Sequence, residues 1–353
     1  MKTTVPSLKE VARAANVSVP TASRILHRKK LNQFSEETKE RVLEVAQRLQ
    51  WRPNLLVHGM QTGKTRTIGV MVPPSNSHWA DIIFGIHDGL ISNDHIPIML
   101  WGKHWREDEQ RYAGESLEQI HRLIDRRVEG FILWPPMVKS YCDHIEEMRN
   151  IPVVTIDHEL SPEYGADSVA TDEEMGAKLV ASHLLSLGHR HIAHFAGSGS
   201  KIYSWAKLRS EYFEKEITSV PGTTYITAEQ WQHDYNEGVS VAKKLLQMNP
   251  RPTAVFAASD QRAEYLYDAA AQMGLKIPQD LSVVGFGDLA NAARLQPSLT
   301  TVRQKSYETG NVAARLILER LEKTNGEPHN HKMVRVGCEL VIRDSTAAPR
   351  NGG

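Results

Sequence analysis

Cysteine is nearly absent: the 353-residue chain holds two, Cys142 and Cys338, far apart and in no CxxC pair. That argues against a disulfide framework and fits a reducing cytoplasm. No apolar run reaches membrane-spanning length, and the start carries no secretory leader pattern. The expectation is a cytoplasmic protein without a membrane partner, not an exported binding protein. Net charge is missing too, because 42 Lys and Arg balance 42 Asp and Glu. The balance hides an asymmetry. Residues 1–66 hold 13 basic against 5 acidic side chains, and the remainder holds 29 against 37. A basic head on an acidic body points to a nucleic-acid-binding module joined to something that avoids nucleic acid. Asp157, Asp167, Asp172, Asp260 and Asp288 come without a nucleophile elbow, phosphate loop or paired acid/base motif. An enzyme is therefore not expected, and no cofactor motif appears.

What is present begins with SLKEVARAANVSVPTASR, residues 7–24. Ser7 with Glu10 three residues on predicts a capping box. Leu8, Val11, Ala12 and Ala15 recur at helical spacing. Asn16 and Val17 supply a tight corner, since Asn tolerates the left-handed conformation. Ser18 caps a second helix, with Pro20 in the first turn where a missing N–H does no harm. Ala22, Ile25 and Leu26 form its buried face. Val19, Pro20, Thr21, Ser23 and Arg24 are left to touch something else. Two short helices at a steep angle, the second presenting small, polar and basic groups, form the helix-turn-helix device for the DNA major groove.

A third helix is predicted over 35–50, capped by Ser35. Residues 55–61 read as a short helix that Gly59 weakens by about 1 kcal/mol relative to Ala and that is too short to stand alone. A polar, basic linker follows to residue 66. From 67 onward the pattern becomes strand–helix alternation. Strands are predicted at 68–72, 96–101, 130–134 and 153–156, then at 192–195, 224–227, 254–258 and 282–286. Helices fall between them at 80–92, 111–127 and 141–149, then at 173–187, 207–218, 236–247 and 262–273. A helix at 307–322, a strand at 334–342 and a polar tail close the chain. Continuous apolar strands alternating with helices indicate parallel sheets covered on both faces. The predicted fold is α/β: an all-α head plus two doubly wound subdomains with ligand space in the cleft between them.

With these residues in view, the chain resembles LacI/GalR-type transcriptional regulators over nearly its whole length. The similarity runs from SLKEVARAANVSVPTASRIL and FSEETKERVLEVAQRLQWRPN through TGKTRTIGVMVP and LGHRHIAHFAG. It continues in DLSVVGFGD, PSLTTVRQ and ELVIRDST. The resemblance implies a head at 1–52, a hinge helix and linker at 53–66, a periplasmic-binding-protein-like core at 67–345 and a tail at 346–353. Within the core, one subdomain takes 67–168 plus 303–331 and the other 169–302 plus 332–345. It also implies a homodimer on a near-palindromic operator, with a small effector changing DNA affinity.

Site residues follow from matching positions. Arg24 is placed to reach guanine O6 and N7, which gives roughly 1–3 kcal/mol of discrimination. Val19 and Pro20 can meet only thymine methyls or sugar edges, and Ser7, Ser18, Thr21 and Ser23 are assigned to the DNA side. His27 stands where relatives often have Asn. Asn54, Leu55, His58 and Met60 belong to the hinge. Met60 matches the apolar residue, usually Leu, that wedges between central base pairs. In the core, Ser75, His78, Trp79, Asp157, Trp205, Arg209, His233, Ser259, Asp260, Gly287 and Gln304 are matched to the effector ring, with Arg209 anchoring ligand oxygens. Gly287 departs from the GFDD or GYDD of sugar-binding relatives. The GFGD run resembles regulators of sugar-acid (gluconate-like) metabolism, and the loss of a carboxylate removes repulsion toward an anion. His189, His191 and His194 invite a metal reading, yet LGHRxIA is a family helix-to-strand junction and no carboxylate or Cys completes a ligand set. The Ala-Pro-Arg-Asn-Gly-Gly ending lacks the leucine heptads of family tetramers, so a dimer is expected. The alternative class is a small-molecule-binding protein of periplasmic type without DNA function.

Overall fold

A serine opens each of the three helices nearest the N-terminus. Ser7 caps α1 (Leu8–Ala14), Ser18 caps α2 (Val19–Leu26) and Ser35 caps α3 (Glu36–Arg48). The computed structural model describes residues 6–27, 30–52, 64–73, 77–100, 118–134, 151–157, 165–197, 204–230, 234–322 and 330–350. The chain divides into one unit at 1–65 and another at 66–353. At α1 the capping box is complete. Ser7 Oγ accepts from the Glu10 amide, and the Glu10 carboxylate accepts from the Ser7 amide at 2.6 Å. That backbone hydrogen bond is the main reason the Glu10 carboxyl sits below its ordinary pKa. Asn16 takes φ 53 at the corner before α2. Val11, Ala15, Ala22, Ile25, Val42 and Val45 close a small core. Arg41 Nε donates to the Ala15 carbonyl at 3.1 Å and ties α3 to the end of α1.

In the second unit, two six-stranded sheets share the chain. The first contains β1 (Thr67–Met71), β2 (Ile96–Met99), β3 (Gly130–Leu133), β4 (Val153–Ile156), β5 (Asp167–Thr171) and β11 (Met333–Val336). Its order is β11-β5-β4-β3-β1-β2, parallel throughout. The second contains β6 (His191–Gly197), β7 (Thr224–Gln230), β8 (Ala254–Ala257), β9 (Ser282–Gly287), β10 (Thr300–Gln304) and β12 (Cys338–Val341). Its order is β12-β10-β9-β8-β6-β7, parallel except where β12 pairs antiparallel with β10. Helices α4 (Ser77–Ile91) and α9 (Ser306–Glu322) cover one face of the first sheet, and residues 118–125 are helical against the other. On the second sheet, α5 (Glu173–Ser186) and α6 (Ser204–Thr218) cover one face. Its other face takes α7 (Tyr235–Leu246) and α8 (Asp260–Gln272). Helices α4 and α9 cross so closely that a methyl group on Gly85 would overlap the Tyr307 carbonyl, and one on Gly310 the Ile82 carbonyl. Only glycine permits that approach.

Several expectations need correction. β5 and β10 were not foreseen as strands. Their sequences, DSVAT and TTVRQ, are polar, and yet most of their residues are buried. Hydrogen bonding explains this: Thr155 Oγ1 meets Ser168 Oγ at 2.9 Å, and Asp167 Oδ1 accepts from the Lys332 amide at 2.8 Å. The single strand expected at 334–342 is two, β11 in the first sheet and β12 in the second. The chain therefore passes between sheets after Thr171, after Gln304 and at Gly337, and not at 168, 302 and 331. The part of the tail described here is docked. Ala347 accepts from His189 Nε2 at 2.9 Å and donates to Ser282 Oγ at 3.0 Å, while Thr346 Oγ1 meets His183 Nε2 at 2.9 Å. Buried His189, 1% exposed, requires such partners.

Candidate functional site

In the head, α2 separates its two faces cleanly. Ala22 and Ile25 are buried, whereas Val19, Pro20 and Arg24 are exposed. Arg24 makes no hydrogen bond or ion pair to another described residue. Ser18 Oγ accepts from the Thr21 amide at 3.2 Å and meets Thr21 Oγ1 at 2.8 Å. Of the four hydroxyls assigned to DNA, those of Ser18 and Thr21 thus meet each other at the cap of α2, and that of Ser7 is engaged in its own box. Ser23 offers its carbonyl to His27 Nδ1 at 2.9 Å, and the His27 ring stands edge-on to Trp51 at 6.3 Å. His27 is a strut at the end of α2 rather than a free reader. Asn54, Leu55, His58 and Met60 lie outside the described residues.

In the core, the matched residues converge on the carboxyl ends of strands, where doubly wound sheets bind ligands. His78 opens α4. Its Nδ1 meets Ser306 Oγ at 2.7 Å and its Nε2 meets Asp157 Oδ2 at 2.8 Å. Asp157 follows β4 with φ 55. Trp79, matched to the effector ring, is 8% exposed, packs edge-on to Trp134 at 5.8 Å and belongs to the core of the first sheet. Gln304 Nε2 donates to Thr171 Oγ1 at 2.8 Å, clasping the ends of β10 and β5 where the chain changes sheets.

Arg209 on α6 is the main surprise. It is 4% exposed and already paired. Its Nε donates to Glu173 Oε2 at 2.7 Å, its Nη2 to Glu173 Oε1 at 2.9 Å, and its Nη1 to the Ala258 carbonyl. The guanidinium lies 3.3 Å over the Phe286 ring and 4.9 Å from the Trp205 ring. Burial pushes the Glu173 carboxyl up, and Arg209 pulls it back; Asp157 and His78 also act on it. The Arg209–Glu173 and His78–Asp157 pairs therefore share one electrostatic site built from both sheets. Sequence reasoning missed Glu173, which reads simply as an acid at the positive end of α5.

Asp260 is fully buried at the start of α8. Oδ2 accepts from the Leu289 amide at 2.6 Å and Oδ1 from the Thr301 hydroxyl. Burial pushes its pKa up to about 6, against those two hydrogen bonds. Ser259 caps α8, its Oγ accepting from the Arg262 amide at 3.3 Å. Gly287 has φ 129, and a Cβ there would come within 3.2 Å of Leu289 Cγ. The glycine is thus a backbone requirement as well as a missing carboxylate. The neighbouring Asp288 is bound by Arg303 and Arg343 at 2.6 Å each. Ser75 and His233 lie outside the described residues. His189, His191 and His194 take separate partners: His189 meets Thr253 Oγ1 and Ser282 Oγ, His191 meets Thr224 Oγ1, and His194 stacks on Phe256 at 5.0 Å. No group of three or more metal-ligating side chains occurs among the described residues.

Residues 7–54 match the family model described as bacterial regulatory proteins, lacI family, and residues 181–346 match a periplasmic binding protein-like domain. Catabolite control protein A of Priestia megaterium is 29% identical over 346 residues, covering 96% of this chain and 99% of the relative. A crystal structure of a lac repressor dimer bound to operator and an anti-inducer superposes with a TM-score of 0.78 at 23% identity, over 98% of this chain and 100% of that one; it bears on the fold alone. A regulator from Enterococcus faecium with bound ribose is 28% identical with a TM-score of 0.65, covering 80% of this chain and 99% of that one. With the serine-capped helix-turn-helix head and the two parallel-sheet halves already described, these matches make the chain similar to LacI-family transcriptional regulators, with a lacI-type region at 7–54 and a periplasmic binding protein-like domain at 181–346.

Proposed function

We propose that the protein is a cytoplasmic, homodimeric repressor that reads a near-palindromic operator through α2. A small effector in the core sets its operator affinity. The observation that carries this reading is the exposed Val19-Pro20-Arg24 face of α2, held by caps that are satisfied within the head itself. Arg24 reads guanine, Val19 and Pro20 meet thymine methyls or sugar edges, and Ser23 with nearby basic groups holds phosphates. Segment 53–66 acts as the hinge, and Met60 wedges into the central minor groove. Phe84, 60% exposed, and Ile91, 47% exposed, stand a heptad apart on α4, and this apolar stripe supports the homodimer.

For the effector, the relative from Enterococcus faecium holds ribose, which supports a sugar-like size. Gly287 supports the finer reading of a carboxylated sugar, since no carboxylate from that position repels an anion. Arg209 does not supply the free cation, because Glu173 already neutralises it. Binding-site selection from random duplex DNA with the full chain tests the function, followed by anisotropy on the selected sequence with and without sugars and sugar acids. The expected result is enrichment of one near-symmetric sequence whose affinity shifts with a small molecule. A library that yields no enriched sequence overturns the reading.

A further inference from the structure

Arg262 breaks three rules at once. It sits in the first turn of α8, next to the positive end of the helix dipole, where a cation is disfavoured. It is 8% exposed, yet no carboxylate among the described residues pairs with it. Among the described residues its Nε has no hydrogen-bond partner, and its Nη1 reaches only Ser259 Oγ, at 3.5 Å. Buried guanidinium groups are ordinarily paired, and an unsatisfied one requires an explanation. Its position supplies one. Reaching back to the N-cap Ser259 places the guanidinium at the carboxyl end of β8, the same edge where the Ala258 carbonyl binds Arg209. After burial itself, the nearby Arg209 also disfavours the charge on Arg262, and both arginines act on the buried His194. Arg209 is compensated by Glu173, whereas Arg262 has no compensating carboxylate among the described residues.

We infer that Arg262 is the anion anchor of the effector site, taking the carboxylate or phosphate group of a small polar ligand. This rests on the effector-controlled reading above and moves the ligand's charge partner from Arg209 to Arg262. An oxyanion accepts from the orphan Nε and a neighbouring Nη in the fork geometry that suits guanidinium. It also relieves the repulsion between the two arginines. Ser259 then serves as the cap that holds the guanidinium in place.

Thermal unfolding of the full chain tests this, for the wild type, Arg262→Met and Arg262→Lys. The probes are gluconate for a carboxylate, glucose 6-phosphate for a phosphate, inorganic phosphate for the anion alone and glucose for the neutral ring, each against matched chloride. The wild type is expected to gain stability from at least one of the anions and less from glucose. Arg262→Met is expected to melt higher than wild type without ligand, because an unpaired buried charge is gone. It should bind the responding anion more weakly by about thirtyfold or more, as when one partner of a buried charge pair is truncated. Arg262→Lys should retain part of the response. Three results overturn the proposal: no anion stabilises the wild type beyond chloride, the response survives intact in Arg262→Met, or ligand-free Arg262→Met melts lower. Operator affinity in the same samples separates the two readings. A neutral sugar that shifts operator affinity equally in wild type and Arg262→Met keeps the regulator and removes the anchor. An Arg262-dependent anion response with no effect of any probe on operator affinity keeps the anchor and removes the effector control.

Discussion

Two arginines separate the head from the core. Arg24 stands exposed on α2 without a partner among the described residues, while Arg209 lies buried with its guanidinium bound on three sides by Glu173 and Ala258. The difference follows from what each surface must do. DNA is large, and its charge arrives with it, so a head residue can wait in water at no desolvation cost. Arg209 is 4% exposed, and a charge buried in that way must be balanced before any ligand comes. Under the proposed function, the same side chain serves as a reader in one region and a strut in the other.

Removing the strut has the largest expected effect. Arg209→Ala leaves Glu173 buried without its cation and should lower unfolding stability by roughly 3–5 kcal/mol. Replacing both partners by apolar residues of similar volume should recover most of that loss. Urea unfolding of the two single changes and the double change checks this. If the double variant is as unstable as Arg209→Ala, the pair is not the reason Arg209 is there.

Asp260 sharpens the same contrast within the cleft. Burial raises its pKa to about 6 from an ordinary 3.8. Below the ordinary value both folded and unfolded states bind the proton. Between 3.8 and about 6 the folded state holds it and the unfolded state releases it, so this group's contribution to stability falls as pH rises through that window. By pH 7 the loss is about 3 kcal/mol. His194, held near 3 by burial, acts in the opposite direction as pH falls below 6.5, so the test is a difference. Stability of the wild type minus that of Asp260→Asn, followed from pH 4 to pH 7, should decline. A flat difference shows that Asp260 stays ionised across the range.

A smaller effect belongs to the head. Ser18→Ala removes the acceptor for the Thr21 amide and should destabilise the head by about 1 kcal/mol. Thermal unfolding of the head transition reads it. No change would mean that the hydroxyl is free to meet DNA.

How much of this was legible follows the same physics. The caps, the corner at Asn16 and the apolar strands were readable because each is a local rule with a local signature. β5 and β10 were not, since their burial is satisfied by hydrogen bonds across the fold, and periodicity sees only polarity. Gln304 was matched to the effector ring, but its clasp on Thr171 at the junction of the sheets was not legible, because that partner lies 133 residues away. Glu173 and Arg262 escaped for a related reason. One resembles an ordinary acid at a helix start and the other an ordinary surface cation, and only burial distinguishes them from that. Gly287 was visible as a missing carboxylate, whereas its φ of 129 was not.

The most direct test of the account is the ratio of specific to nonspecific DNA affinity for wild type and Arg24→Ala, measured by anisotropy across a salt series. Arg24→Ala should keep its folding stability within about 0.5 kcal/mol, as expected of an exposed residue without partners. Its ratio should fall by about tenfold or more through loss of 1–3 kcal/mol of base discrimination, while weak, salt-sensitive binding persists. An unchanged ratio at unchanged stability would contradict the claim that α2 reads DNA through Arg24.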